Sequence, residues 1–275
     1  MSFKDVLVCV EDLPSDEATL EVAVGLARSF GAHLVGLHVR LLAELPPFIM
    51  AEYGGQITLM QDRLALEASD RAKARFEAAL AAGGITGEWR DVAGNPLREV
   101  PLHARHADLT VIAQRNPEEW SEDGLVDQLL LDAGRPVLVV PYVGRYPAVG
   151  RRALVAWNAG REAARAVADA LPLLRRAERT LVVALNPRAV TGSHGDVPGA
   201  DIAAHLARHG VSAQAESLQA EDVALGDMLL SRAADEDADL LVMGAYGHSR
   251  MRELVLGGVT RHVLDHMTLP VLLSH

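Results

Sequence analysis

Short apolar runs alternate with longer segments of mixed polar and apolar residues along the whole chain. Runs such as Leu109–Ala113 and Leu240–Gly244 are nearly continuous in Val, Leu and Ile. Such runs are typical of strands in a parallel sheet whose two faces are both covered by helices. The longer segments are typical of the crossover helices that join parallel strands, and right-handed crossovers leave few topologies. The pattern therefore predicts an α/β fold.

The pattern predicts strands and helices in two similar series. The predicted strands are Val6–Val10, His33–Arg40, Gly87–Val92, Leu109–Ala113 and Val137–Pro141, then Ala153–Trp157, Thr180–Leu185, Ala213–Gln219, Leu240–Gly244 and Val271–Ser274. The predicted helices are Ser15–Phe30, Gln61–Ala82, Pro96–His106 and Glu122–Ala133, then Arg161–Arg175, Ile202–His209, Leu225–Glu236 and Val259–Met267. We interpret Pro46–Gly55 as an irregular surface excursion before the second helix.

Four apolar blocks occur twice in the same order, which indicates two copies of one domain. Tyr142–Gly150, with two glycines and one proline, is the natural linker. We therefore expect domains at residues 1–145 and 150–275. The matched blocks are Lys4–Cys9 with Arg151–Ala156, His33–Val39 with Thr180–Asn186, Ala107–Ala113 with Ala238–Gly244, and Arg135–Pro141 with Leu269–His275.

Glycines cluster after the fourth strand of the second copy. Gly244 ends that strand, Gly247 follows it, and Gly257 and Gly258 precede the helix predicted from Val259. Glycine lets the backbone approach a ligand closely, and a helix N-terminus favours an anion such as phosphate. The two clusters can hold one polyphosphate between them. Alternatively, these glycines only shape a turn and end a loop.

This glycine spacing resembles that of ATP-binding universal stress proteins, and the repeat extends the resemblance to a tandem member over nearly the whole chain. The resemblance implies two open parallel five-stranded sheets flanked by helices, Rossmann-like and similar to the adenine nucleotide alpha hydrolases, related by a pseudo-twofold axis. It also implies ATP or ADP in the second domain, with any Mg²⁺ held by the phosphates. The expected ligand contacts are Asn158, Asn186, Met243, Gly244, Gly247, His248, Ser249, Arg250, Gly257, Gly258, Val259 and Thr260.

Two positions depart from the pattern of the nucleotide-binding members. Gly258 stands where those members usually carry Ser or Thr, and Thr260 or Ser249 would have to supply the hydroxyl. Asn158 stands where an aspartate usually follows the first strand, so hydrogen bonding is retained but the charge is lost. By the same resemblance, the main chain at Asn186 reads the adenine edge and Met243 packs against the base. A methionine that ends a buried strand can equally be a core residue.

The first copy lacks the glycine clusters. Its fourth strand is followed by Gln114–Asn116, and the next loop carries the acidic pairs Glu118–Glu119 and Glu122–Asp123. Their charges would repel a polyphosphate. We therefore expect one nucleotide per chain, in the second domain, and a structural role for the first domain. The fifth strands are apolar at presumed sheet edges, so we expect them to pair or pack together.

Composition narrows the possible partners and compartments. The formal net charge of −11 argues against binding to nucleic acid or to an anionic membrane surface. Cys9 is the single cysteine, so no intrachain disulfide is possible and the cytoplasm is expected. No apolar run approaches the ~20 residues that cross a bilayer, and Met1–Asp5 leads into a strand without a signal-peptide pattern. We interpret the pairs His103/His106 and His262/His266 as chance spacings and expect no metal bound by side chains.

The sequence thus predicts a cytoplasmic stress-response protein that binds an adenine nucleotide as a regulatory ligand. The alternative is an interaction protein whose two clefts hold no nucleotide. A slow ATPase is a third possibility, although the sequence offers no evident base to activate water, and we assign no catalytic residue. We also expect a homodimer, because the apolar segment Pro46–Met60 would otherwise be exposed.

Overall fold

The computed structural model describes residues 2–41, 47–119, 124–186, 199–219, 222–246 and 258–275, without the side chains of residues 47–56 and 222–224. The strands are β1 (Asp5–Cys9), β2 (His33–Leu41), β3 (Gly87–Gly94), β4 (Leu109–Ala113), β5 (Val137–Val140), β6 (Arg152–Trp157), β7 (Arg179–Leu185), β8 (Ala213–Leu218), β9 (Leu240–Gly244) and β10 (Val271–Ser274). The helices are α1 (Asp16–Phe30), α2 (Pro47–Gly83), α3 (Pro96–Ala104), α4 (Leu125–Asp132), α5 (Arg161–Leu174), α6 (Ala200–Arg208), α7 (Asp222–Asp235) and α8 (Gly258–His266).

All of these strands belong to one ten-stranded sheet, in the order β3-β2-β1-β4-β5-β10-β9-β6-β7-β8. Pairing is parallel within each half, while β5 and β10 pair antiparallel, with Leu272 opposite Leu138. The order reads identically from both edges once the second-half strands are matched to the first, as a pseudo-twofold axis requires. The expected α/β fold and the pairing of the fifth strands are confirmed, and the two five-stranded sheets are continuous with each other.

The core lies on both faces of this sheet, because successive side chains of a strand point to opposite faces. In β1, Val6 and Val8 pack into one apolar layer while Leu7 and Cys9 pack into the other. Burial raises the pKa of the Cys9 thiol well above its usual range, so the thiolate is disfavoured. Cys9 is therefore a core residue, as the apolar pattern predicts.

Helix α2 differs from the sequence prediction, because it begins at Pro47. The segment Pro46–Gly55 was expected to be irregular, yet the helix continues through Gly54 and Gly55. Proline is tolerated in a first helical turn, and a glycine inside a helix costs only about 1 kcal/mol. The buried Phe76 anchors the other end of α2 in the core beside Trp89, with 5.5 Å between ring centroids. The interpretation as a loop is therefore wrong for Pro47–Gly55, while Pro46 lies outside the described residues.

The sheet has two places where the strand order reverses. β1 lies between β2 and β4, and β6 lies between β7 and β9. At such switch points the connections leave in opposite directions, and a crevice opens at the carboxyl ends of the strands. The fold therefore positions one crevice in each half, at pseudo-equivalent places.

Candidate functional site

The crevice of the second half gathers most of the predicted ligand contacts that the structure describes. Asn158 follows β6, Asn186 follows β7, and Met243 and Gly244 end β9. Because these three strands are parallel, their last residues meet at the same edge of the sheet. The remaining described contacts, Gly258, Val259 and Thr260, form the first turn of α8. Gly247, His248, Ser249, Arg250 and Gly257 lie outside the described residues.

Asn158 shapes the turn between β6 and α5. Its Oδ1 accepts a hydrogen bond from the Gly160 N–H at 2.9 Å, and the intervening Ala159 has a left-handed φ of 57°. Short side chains with an amide or carboxylate often stabilise turns in this way. Since the side-chain carbonyl already serves the turn, a ligand contact from Asn158 would fall mainly to its Nδ2 donors.

Gly244 permits a close contact between β9 and the first turn of α5. A Cβ at this position would lie 2.5 Å from both Ala163 N and the Glu162 carbonyl carbon. A side chain of any size would therefore displace the helix backbone. The close approach that the sequence associates with a ligand is made here by the protein itself, which gives Gly244 a packing role.

Glu162 is a buried acid in this crevice that the sequence analysis missed. Burial by itself raises the pKa of its carboxyl, but hydrogen bonds from Arg161 and from its own backbone N–H, together with nearby His275, leave the pKa below its usual value. The Arg161 Nε–Oε1 distance is 2.6 Å. Glu162 thus places an ionised, arginine-paired carboxylate at the start of α5. Its only sequence signal was an acidic residue in a predicted first helical turn.

Asn186 and Met243 both have structural roles. The Asn186 N–H donates to Leu218 O at 2.9 Å, continuing the pairing of β7 with β8, at a φ of 44°. The main-chain N–H of Asn186 therefore serves the sheet. Met243 is 4% exposed and belongs to an apolar core layer. The structure thus favours packing as the main role of Met243.

At the start of α8, Gly258 is exposed and Thr260 is buried. Gly258 is exposed, and a Cβ added there would meet no described atom within 4 Å. The Thr260 side chain is turned inward and is only 5% exposed. A hydroxyl at position 258 would therefore be better placed for a ligand at the helix N-terminus than the hydroxyl of Thr260.

Ion pairs join α2 to the turn at the crevice of the first half. Asp12 has a left-handed φ of 63°, close to that of Ala159 at the matching turn. The Asp12 carboxylate lies 2.8 Å from an Arg71 nitrogen and 3.5 Å from an Arg75 nitrogen, both on α2. Arg75 Nη1 also donates to Leu13 O at 2.6 Å. Helix α2 thus holds the turn after β1 in place.

Two further acids occupy this first crevice. The buried Asp16 accepts hydrogen bonds from the backbone N–H groups of Glu11 and Leu13, and burial raises the pKa of its carboxyl to about 6. Ser15 Oγ donates to Glu119 Oε2 at 2.9 Å, which attaches the loop after β4 to the start of α1. An anion would meet carboxylates here, so the geometry disfavours a polyphosphate in this half.

The described residues contain no group of three or more His, Cys, Asp and Glu side chains that could hold a metal ion. His262 Nε2 lies 2.7 Å from Asp227 Oδ1, and His266 Nδ1 lies 2.9 Å from His262 O. His103 lies next to Arg90, and burial lowers the pKa of His103.

Among the helices that the structure describes, none has the length and apolar character to cross a membrane.

Solved structures with similar folds include universal stress proteins. A universal stress protein from Archaeoglobus fulgidus has 17% identity, covers 98% of this chain and 95% of its own, and superposes with a TM-score of 0.71. A universal stress protein solved in complex with cAMP has 21% identity, covers 52% of this chain and 100% of its own, and has a TM-score of 0.33. The likeness to the Archaeoglobus fulgidus protein shows the fold alone, because the identity is low.

Sequence comparison identifies the same family. A universal stress protein of Synechocystis is 55% identical over 38 residues, which are 14% of this chain and 13% of that protein's length. The model of the universal stress protein family matches residues 2–141 and again residues 150–275. The two matches account for nearly the whole chain. The chain therefore belongs to the universal stress protein family and contains the family's domain twice in tandem.

Proposed function

We propose that this protein binds an adenine nucleotide, ATP or ADP, in its second half as a regulatory ligand in a cytoplasmic stress response. One observation carries the proposal, the contrast between the two matching crevices. After β1, the turn carries Asp12 paired with α2 arginines. After β6, the same turn consists of Asn158, Ala159 and Gly160, which are small and uncharged. The turn of the second crevice thus brings no carboxylate to a bound polyphosphate, whereas the turn of the first crevice carries one.

The division into domains 1–145 and 150–275 belongs to this proposal, with nucleotide bound only in the second. Phosphates would lie towards the start of α8, where backbone N–H groups and the helix dipole favour an anion. Glu162 lies on the other side, at the start of α5, and is neutralised by Arg161. Any Mg²⁺ would be held chiefly by the phosphates, since Mg²⁺ commonly keeps several waters beside them.

The proposal is tested by moving the acid of the first crevice into the second. In Ala159→Asp, a carboxylate enters the turn after β6, and Asp tolerates the left-handed φ better than Ala. Calorimetric titration should show at least tenfold weaker ATP binding, about 1.4 kcal/mol. Ala159→Asn is the matched control, because asparagine has the shape of aspartate without its charge. This variant should bind ATP nearly as the unaltered protein does. Equal ATP binding by Ala159→Asp would contradict the assigned site.

A nucleotide-free interaction protein is the second candidate. It is favoured by the packing roles found for Gly244 and for the Asn186 N–H, which give ordinary reasons for two expected ligand contacts. Chromatography of the supernatant after denaturing the purified protein separates the two candidates. Copurified ATP or ADP supports nucleotide binding. If no nucleotide copurifies and calorimetry shows no binding of ATP or ADP, the interaction protein is the supported candidate.

An ATPase would require sustained phosphate release that Ala159→Asp lowers. We assign no catalytic residue and expect no such release.

Self-association as a twofold dimer is also part of the proposal. Four large apolar side chains on α2 are at least half exposed, namely Leu59, Met60, Leu64 and Leu66. A light-scattering mass near 29.5 kDa at micromolar concentration would reject the dimer.

A further inference from the structure

The last turn of α8 is attached to the first half of the molecule. Gln114, directly after β4, donates from Nε2 to Leu264 O at 2.7 Å. The Gln114 side chain is 6% exposed, and its Oε1 accepts from the Tyr142 N–H at 3.4 Å. Both ends of this buried amide are thus engaged, which fixes its orientation. The contact joins residues that are 150 positions apart.

This contact supplies a donor that α8 itself lacks. The last four carbonyls of a helix have no partner within the helix, and a buried carbonyl without a donor costs about 1–3 kcal/mol. Gln114 provides that donor to Leu264. Because α8 has only nine residues, on the order of 13 Å of rigid helix, its anchored end determines where its first residue lies. That first residue is Gly258, at the proposed phosphate end.

Asp127 on α4 also belongs to the first half. Burial raises the pKa of its carboxyl, while nearby Tyr246 and Arg261 of the second half lower it to a smaller extent. Asp127 Oδ1 and the Tyr246 hydroxyl are both buried and make no hydrogen bond within the described part of the chain. The anchoring of α8 to the first half therefore rests on the Gln114 hydrogen bond.

The two halves differ at this position. Gln114 N donates to Val140 O, and Ala245 N donates to Ser274 O in the same way, so Ala245 is the pseudo-equivalent of Gln114. Alanine has no side-chain donor, so Ala245 cannot cap α4 as Gln114 caps α8. The first half thus has a buried side chain that bonds to a helix of the second half.

The geometry points to Gln114 as a positioning residue for the nucleotide site of the second half, acting through α8. This inference rests on the proposed nucleotide binding. It gives the first domain a defined task, which is to hold the phosphate end of a site in the other domain. The residue touches no ligand in this scheme, and its effect should be confined to the phosphate contacts at the start of α8.

Calorimetric titration of Gln114→Met with ATP and with adenosine tests the inference. Methionine keeps nearly the same volume but has no N–H to donate to Leu264 O. ATP binding should weaken about five- to tenfold, while adenosine binding should stay within about twofold because adenosine has no phosphates. Gln128→Met on α4 is the control, since Gln128 bonds only Asp132 on its own helix among the described contacts. Unchanged ATP affinity, or an equal loss for adenosine, would overturn the inference.

Hydrogen exchange without ligand separates this inference from the proposed function. Amides of α8 should exchange faster in Gln114→Met than in the unaltered chain, and unchanged exchange overturns the positioning role. Absence of ATP binding by the unaltered chain rejects the proposed function instead. Gln114→Leu is a second variant in case Gln114→Met does not fold, since leucine also has no N–H to donate to Leu264 O. It should show the same faster exchange in α8, and unchanged exchange would again contradict the positioning role.

Discussion

At the scale of single residues, turns with a similar left-handed residue carry different chemistry in the two halves. Asp12 and Ala159 both adopt a left-handed φ, at 63° and 57°, between the first strand and the first helix of each half. Asp tolerates this conformation better than Ala, so the second half accepts local strain at this turn. In return it carries no carboxylate there. The proposed site thus depends on the side chain at a turn whose backbone is common to both halves.

Gly244→Ala should destabilise the fold. Its Cβ would lie 2.5 Å from two backbone atoms of α5, which must then move. We expect a loss of about 1–3 kcal/mol in the free energy of unfolding, measured by urea denaturation. Gly258→Ala is the matched control, because no described atom lies within 4 Å of its Cβ, and it should change stability by less than about 1 kcal/mol. Equal stabilities would contradict the packing role of Gly244.

Asp16 should make stability fall as pH rises from about 4 to 6. Burial raises the pKa of its carboxyl to about 6 in the folded protein, from an ordinary 3.8. The folded state therefore holds this proton more tightly than the unfolded chain, and its stabilising effect is lost as the pH passes the folded pKa. The effect is on the order of 3 kcal/mol, since one pKa unit corresponds to about 1.4 kcal/mol.

Urea denaturation of the unaltered protein and of Asp16→Asn at pH 4, 5, 6 and 7 isolates this contribution. Other carboxyls titrate in both proteins, so the difference between the two free energies of unfolding reports Asp16. As the pH rises, the unaltered protein should lose stability relative to Asp16→Asn, because only the unaltered protein carries the Asp16 carboxyl. A difference that is constant from pH 4 to 7 would show that the pKa of Asp16 is not raised.

At the scale of elements, α2 shows how tertiary anchoring overrides local sequence signals. Pro47, Gly54 and Gly55 favour a loop on their own, yet α2 runs from Pro47 to Gly83. The buried Phe76 secures the C-terminal part of the helix, while Arg71 and Arg75 reach Asp12 after β1. These contacts stabilise the helix far more than one glycine pair weakens it.

Phe76→Ala should therefore detach α2 from the sheet. Phe76 is 1% exposed and contacts Trp89, and removal of a buried phenylalanine costs about 3–5 kcal/mol. Leu64→Ala on the same helix is the control, because Leu64 is 53% exposed and its loss should cost less than about 1 kcal/mol. Thermal unfolding followed by circular dichroism distinguishes them. Similar unfolding temperatures for the two variants would argue against α2 being anchored through Phe76.

At the scale of the whole molecule, the antiparallel pair of β5 and β10 makes one sheet of two domains. Both strands are buried, and all of their residues except Ser274 are apolar, with Val271 opposite Val139. Each strand would otherwise be an exposed edge that pairs readily with another chain. The same junction brings Gln114 to Leu264 and so joins the first half to α8 of the second half.

Residues 150–275 expressed alone should self-associate. Without β5, the backbone N–H and C=O groups along one edge of β10 lose their partners. Pairing with β10 of a second copy restores these hydrogen bonds. Light scattering at micromolar concentration should give twice the mass of the fragment. A fragment that is folded by circular dichroism and monomeric at that concentration would show that β10 needs no partner strand.

The sequence alone determined the alternation of strands and helices, the tandem repeat and the pairing of the fifth strands. It did so because apolar periodicity encodes backbone conformation and burial locally, and because two copies of a pattern imply two copies of a fold. Only the tertiary structure decided that α5 packs on Gly244, that Arg71 pairs with Asp12, and that Gln114 reaches Leu264. These contacts join residues far apart in the chain, and their distances depend on how whole elements pack, which no local pattern contains.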